Sequence, residues 1–449
     1  MLFERIFLPF FRHASRRAMN FDAGPVASPT PPADGNAFLY VHVPFCVVLC
    51  PFCSFHRVAF REAKATRYFA ALRREIETYR DAGFKFTGVY FGGGTPTVVP
   101  GELTRTLEVI RQWFPVREVS VETNPCDLTE PVLDELVGAG VNRVSVGVQS
   151  FDDGLLREME RYDKYGSRAE ILERLELARG RFTTLNVDMI FNLPHQTPEI
   201  LERDLDTVIG SAANQVSFYP LMTTDSVRRK MTARMGRLDR RRVHDYYFRI
   251  LERLRGEFAP SSAWCFSRGS GSGVDEYIAD NGDYVGVGSG AFSYVNGVMY
   301  STTFSLNAYH ELISQGRLAI TRSRRLATHE RHRYEMLLRL LGLRMDRDWM
   351  RQRFGASFEA RMALELTALR LSGALRKDAR GYALTERGMY LWVLQMAAFF
   401  ESVNVFREKM RAHISEELER DDDVEEATVA LERVTRWVDR GKEDSPFMR

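Results

Sequence analysis

The sequence predicts an α/β protein, a partial (β/α)6 barrel followed by a mainly helical C-terminal domain. Three observations predict it. Between residue 37 and about residue 222, six short apolar runs alternate with amphipathic helical stretches, as buried parallel strands joined by right-handed crossovers do. The unusual motifs of that stretch fall on or just after these runs, at the strand ends where a parallel barrel gathers its chemistry. Beyond residue 223 the alternation gives way to longer helical patterns.

The first unit is residues 1–36. MLFERIFLPFFRHASRRAM is aromatic and basic, Glu4 interrupts its apolar stretch, and no small-residue cleavage site follows. It reads as a helix packed on the body of the protein. A helix on a membrane surface, with Arg12, Arg16 and Arg17 facing headgroups, is the less favoured alternative. Residues 25–35, rich in Pro, Ala and Gly, read as a linker. The core unit, 37–225, carries strands at 39–43, 88–91, 118–122, 143–149, 186–191 and 215–221. Helices are expected at 66–80, 103–113, 129–139, 167–178 and 198–209; Tyr68, Leu72, Ile76 and Tyr79 share one face of the first. Residues 226–325 complete the barrel and cover the substrate, with a helix at 239–254 and the Gly-punctuated DYVGVGSGAFSY (283–294), which suits a loop passing close to a ligand. Residues 326–412 form the helical domain, with helices at 331–343 and 384–400, and 413–449 a charged helical tail.

The chain of 449 residues has 62 basic and 60 acidic side chains, a formal charge of +2. That balance gives no electrostatic footprint for nucleic acid. No apolar run approaches the ~18 residues that span a bilayer. Of five cysteines, three fall within eight residues, which is no disulfide framework and points to a reducing, cytoplasmic setting.

Those three are Cys46, Cys50 and Cys53, in PFCVVLCPFC. Three soft thiolates on one loop suit zinc or iron–sulfur. Structural zinc wants a closed four-ligand shell, and the only nearby fourth candidate is His56. Three ligands to a 4Fe–4S cluster leave one iron open to the amino and carboxylate groups of S-adenosylmethionine (SAM). An electron then breaks the sulfonium C–S bond and releases a 5′-deoxyadenosyl radical. Cys126 and Cys265 stand alone and read as small buried hydrophobes.

In order along the chain, YVHVPFCVVLCPFC, YFGGGTPT, RVSVGVQSFDDGLLREMER, NVDMIFNLPHQT and VGVGSGAFSY resemble the oxygen-independent coproporphyrinogen III oxidase-like family of radical SAM proteins. That family includes porphyrinogen oxidases, haem chaperones and methyltransferases. The resemblance covers about residues 38–309, and LTERGMYLW (384–392) is similar to the family's C-terminal, winged-helix-like domain. It implies a radical SAM barrel with the three cysteines as catalytic cluster ligands. It places Tyr40 and Phe52 beside the bound SAM, Gly93, Gly94 and Thr95 at its amino group, and Glu122 at its polar end. It gives Gln149, Arg161 and Asp188 as further SAM contacts. On the residues alone, the glycines also suit a plain turn, Glu122 and Arg161 are also surface charges, and Asp188 also suits a capped turn.

The resemblance further implies a small, largely apolar or tetrapyrrole-like substrate and a reduced flavodoxin or ferredoxin-type electron donor. Two departures bear on the reaction. Ser54 and Phe55 follow Cys53 where the family's oxidases carry another cysteine, and 267–286 lacks the HNxxYW stretch of its haem chaperones. The expected activity is oxidation with decarboxylation. The alternatives are methyl transfer with a second SAM, for which FYPLM (218–222) is a candidate pocket lining or plain core, and haem binding without turnover. Tyr219, Tyr277, Tyr284 and Tyr294 are candidate late proton or hydrogen donors.

Overall fold

The computed structural model describes residues 15–17, 19–23, 26–269 and 282–415. Most of the expected N-terminal helix, Tyr277 and the tail beyond residue 415 lie outside them.

Six parallel strands lie side by side in sequence order: β1 Asn36–Val43, β2 Lys85–Gly93, β3 Glu118–Thr123, β4 Arg143–Gln149, β5 Thr184–Phe191 and β6 Gln215–Pro220. Helices α1 Glu62–Asp81, α2 Pro100–Trp113, α3 Glu130–Gly138, α4 Arg168–Leu177 and α5 Pro198–Gly210 make the crossovers. The strands are Val- and Phe-rich because both faces are covered; Leu39, Val41, Val89, Val121, Val146 and Val187 have no exposure. The face of α1 expected from its spacing is the one buried, with Tyr68, Leu72, Ile76 and Tyr79 fully covered. Each such apolar side chain stabilises the fold by roughly 1.5–3 kcal/mol. Local signals set the helix starts: Ser167 and Glu170 form a capping box before α4, and Thr197 caps α5 ahead of Pro198.

The sheet stays open. Beside β1 it continues through the parallel strand Tyr284–Val287 and then antiparallel through Phe292–Val295, Val298–Thr302, Ile320–Arg325 and Asp22–Ala23. Beside β6 it ends in antiparallel Cys265–Ser267 and Ala259–Pro260. Residues 283–294, expected as a loop, are therefore a strand–turn–strand. Their glycines serve the turn and its close packing: Gly290 sits at φ +78°, and a Cβ there would lie 2.5 Å from the His56 ring. Tyr284 pairs with Phe38 at the start of β1, and its hydroxyl lies 3.0 Å from that of Tyr334. Tyr294 donates to Glu335 at 2.6 Å. Both tyrosines thus face the C-terminal helices, at the opposite end of β1 from the cysteines, which removes them as hydrogen donors at the rim. Phe218 and Leu221 are buried in the core, and the half-buried Tyr219 packs against Trp264 at 5.1 Å.

The C-terminal region is mainly helical. Helices Thr328–Leu341, Arg347–Phe354 and Ala363–Leu371 surround a three-stranded antiparallel sheet of Arg344–Asp346, Gly381–Leu384 and Leu375–Lys377. The last helix among the described residues, α6 Glu386–Ala412, runs a full twelve residues beyond its expected end at 400. By length and composition it would cross a membrane, yet 67% of its most apolar window is buried inside the fold, as in a core helix.

Candidate active site

The loop after β1 carries the cysteines, and the turn after β2 is locked to it. Gly94 donates to the Val43 carbonyl and Thr95 to the Phe45 carbonyl, both at 2.8 Å. Glycine is required there by space. A Cβ on Gly94 would stand 2.6 Å from the Phe45 carbonyl oxygen, and one on Gly93, at φ +118°, 2.6 Å from the His42 ring.

From this turn, polar contacts run round the rim. The Thr95 hydroxyl lies 3.7 Å from Cys46 Sγ. Asn124, just past β3, donates to the same hydroxyl at 2.9 Å. Arg161 donates to Asn124 at 3.2 Å, to the Gly147 carbonyl on β4, and towards Cys50 Sγ at 3.5 Å. The Arg161 guanidinium lies over the Tyr165 ring at 4.1 Å. The loop and the ends of β2, β3 and β4 thus close a circuit from Cys46 to Cys50. Arg57 is the second cation at the cysteines. Its guanidinium donates to the Cys50 carbonyl. Burial opposes its charge, and the sulfurs of Cys53, Cys46 and Cys50 more than offset that, so its pKa is raised. Burial, with help from Cys53, pushes the Cys46 thiol up to about 12. The free loop therefore holds Cys46 protonated, and a metal must displace that proton to bind.

Behind the loop two buried histidines stack, with ring centres 5.8 Å apart. His42 accepts from Tyr40 on Nδ1 and donates from Nε2 to the His56 carbonyl, each at 3.0 Å, a pairing that assigns the neutral Nε2–H tautomer. Burial holds His42 down to about 3 and His56 well below its usual range. His56 accepts from Arg411 of α6 at 3.2 Å and meets the Ser289 hydroxyl at 3.2 Å. Arg411 also donates to the Arg57 carbonyl at 2.7 Å. None of Arg57, Asn124, Ser289 or Arg411 stood out as a site residue in the sequence. Two of them had a signal: Asn124 lies in ETNP just after β3, and Ser289 in VGVGSGAFSY.

The other expected residues lie on the same rim. Glu122 accepts from the Tyr90 hydroxyl at 2.8 Å and from Gly93 N–H at 3.0 Å, bridging β2 and β3. Asp188 accepts from Ser145 and Asn186, both at 2.8 Å, in a polar row across β4 and β5 that Ser217 on β6 joins. Gln149 takes φ 76°, where a side chain is strained, at a bulge in β4. Phe52 is buried between Cys50 and Cys53. Tyr40, the cysteines, Gly93, Gly94, Thr95, Glu122 and Arg161 are joined by direct contacts or shared partners; Gln149 ends β4, and Asp188 lies midway along β5.

The donor set fits a four-iron cluster. Three cysteines share one loop beside two guanidiniums, and the Nε atoms of Arg57 and Arg161 are buried without a hydrogen-bond partner. Among the described residues no three His, Cys, Asp or Glu side chains converge on a single ion.

Residues 40–208 match the model of the radical SAM superfamily. The chain is 28% identical to the heme chaperone HemW of Bacillus subtilis, across 78% of this chain and 96% of that one. It is 29% identical to the oxygen-independent coproporphyrinogen III oxidase of Bradyrhizobium diazoefficiens, across 83% and 88%. Among solved structures, coproporphyrinogen III oxidase (HemN) from Escherichia coli superposes with a TM-score of 0.67 over 86% of this chain and 92% of that one, at 24% identity.

Proposed function

This chain carries a radical SAM domain, and from that premise we propose that its rim binds a 4Fe–4S cluster and SAM to abstract hydrogen from a tetrapyrrole-like substrate, in the manner of a coproporphyrinogen III oxidase. Cys46, Cys50 and Cys53 hold the cluster. Tyr40, Phe52, Gly93, Gly94, Thr95, Glu122, Gln149, Arg161 and Asp188 hold SAM. A reduced 4Fe–4S cluster held there would supply the electron for cleaving a SAM C–S bond, giving methionine and the hydrogen-abstracting 5′-deoxyadenosyl radical.

The chain's own residues prepare that chemistry. Glu122, fixed from two sides by Tyr90 and Gly93, presents a carboxylate suited to an ammonium group. Asp188 presents one suited to a pair of hydroxyls. Arg57 and Arg161 set positive charge beside the cysteine sulfurs, which favours their thiolate form as ligands. The fully buried histidine pair stays neutral, so it supports the loop without adding charge. The observation that carries the reading is the hydrogen-bonded circuit from Cys46 through Thr95, Asn124 and Arg161 to Cys50.

A second reading, haem binding without turnover, is favoured by the chaperone-named relative that matches over 96% of its length. One pair of experiments separates the two. The anaerobically reconstituted protein is given SAM and reductant, with and without coproporphyrinogen III, and 5′-deoxyadenosine is quantified; in parallel it is titrated with haem. The oxidase reading expects 5′-deoxyadenosine to rise with the porphyrinogen. Stoichiometric haem binding with no such rise supports the second reading and overturns the first.

A further inference from the structure

The helix Ala363–Leu371 of the C-terminal region is packed on one face only. Leu366 and Leu369 are buried against the body, while Leu364 and Leu371 are 79% and 84% exposed. These are the two most exposed large apolar side chains among the described residues. Seven positions apart, they share one stripe of the helix, with Thr367 exposed between them. An apolar residue standing singly on a surface needs no explanation, but two leucines stacked on one helix face mark a contact.

The face is also basic. The one carboxylate of the helix, Glu365, is answered by Arg333 at 2.8 Å and by His329 at 3.1 Å. Arg361, just ahead of the helix, and Arg370, in its last turn, are exposed, and among the described residues neither makes an ion pair. Two copies of this face packed antiparallel would set Arg361 of one against Arg370 of the other, which disfavours a second copy as the occupant. An occupant with an apolar stripe of the same spacing and acidic flanks complements it.

The chain itself supplies one. Its last segment opens with EELERDDDVEE (416–426), and Val424, Ala427, Leu431, Val434 and Val438 follow one another at alternating steps of three and four. Asp423 with Glu426 three positions on is a helix start signal, and Gly441 is a stop, so the sequence predicts a helix over 424–440. The spacing of Leu364 and Leu371 matches one heptad of that stripe. The path is long enough. Just past the leucines, the Gly373 carbonyl accepts from the Thr385 hydroxyl at 2.7 Å, which puts the patch at the start of α6. α6 then carries the chain about 40 Å away. Residues 416–423 extended and a helix over 424–440 together reach about 50 Å, enough to return.

We infer that segment 424–440 docks as an amphipathic helix, its Val424–Val438 stripe on Leu364 and Leu371 and its acidic residues Glu425, Glu426 and Glu432 towards Arg361 and Arg370. A helix of that length is marginal alone in water, so the docked face is what holds it. The inference does not depend on the cluster, and the radical SAM reading stands or falls without it.

Hydrogen–deuterium exchange of the full-length chain, read by mass spectrometry, tests the inference. Amides of 424–440 are expected to exchange at least tenfold more slowly than in the same peptide alone. That protection should be lost in L364D/L371D, while peptides from 375–384 keep theirs and report an intact domain. It should be lost equally in L431D/V434D, whose changes lie in the tail. V137D, which sets a carboxylate on another exposed apolar position, should leave it intact. Unprotected 424–440 in wild type, or equal protection in wild type and L364D/L371D, would overturn the inference. So would a wild-type dimer in sedimentation that L364D/L371D dissolves without changing exchange in the tail, because the face would then belong to a second copy.

Discussion

Two guanidiniums, Arg57 and Arg161, flank the cysteine sulfurs, and burial holds the Cys46 thiol protonated; this pairing of cation with sulfur is the chemical centre of the site. Replacing Cys46, Cys50 or Cys53 with Ala is expected to abolish iron–sulfur absorbance after reconstitution, together with SAM cleavage. A fully active variant at any of the three would remove the cluster from that loop. Arg57→Met takes a positive charge away from the sulfurs, so reduction becomes harder and the cluster's midpoint potential moves negative; a redox titration followed by EPR reads the sign. An unmoved potential would leave Arg57 as loop structure only. The cysteines were legible because their spacing is local. Gln149 and Asp188 were legible because a polar side chain closing or interrupting an apolar strand needs a partner, and Glu122 through the resemblance of its motif. Arg57 was not, because what fixes its backbone arrives from afar: Arg411 donates to the Arg57 carbonyl across 354 positions of sequence.

Among the elements, the glycine turn after β2 fixes the cysteine loop by shape. Gly94→Ala sets a methyl against the Phe45 carbonyl, and a loss of about 1–3 kcal/mol is expected, read as a lower denaturation midpoint. A midpoint equal to wild type would show that the turn yields. The strand–turn–strand at 284–295 is held to α1 by Glu75, which accepts from Gly288 N–H at 2.8 Å and from Tyr309 at 2.7 Å. Burial raises Glu75 from its ordinary 4.5 to about 7. The folded chain therefore binds that proton more tightly than the unfolded one. Stability from this group is present below about pH 4.5 and is lost as pH rises through about 7. Glu75→Gln should flatten the slope, gaining up to about 3 kcal/mol over wild type at pH 8 relative to pH 4.5. Asp204, also raised to about 7 by burial, keeps part of the slope in the variant. Parallel pH–stability curves for the two proteins would contradict the assignment. All six barrel strands were legible, because each is a short apolar run covered on both faces. The 284–295 unit was not, because its glycines look like a loop until the ring of His56 is packed against them. The end of α6 was missed because its last turns carry the charged residues Arg407, Glu408, Lys409 and Arg411, which interrupt the apolar pattern beyond Phe400.

At the scale of the molecule, an open sheet leaves the rim to be finished by parts distant in sequence. The 284–295 strands extend it beside β1, and α6 lays Arg407 and Arg411 over the cysteine loop, Arg407 4.9 Å from the Phe55 ring. Phe21 of the N-terminal segment packs on Phe406 of the same helix at 4.8 Å. The cluster loop is thus clasped by both ends of the described chain, an arrangement no local pattern announces. The most direct test of the central claim is EPR of the reconstituted, reduced protein before and after SAM is added. A cluster of four irons per chain whose signal shifts on SAM binding, in wild type and more weakly in Glu122→Ala, is the predicted result. A complete cluster whose signal ignores SAM would contradict the account.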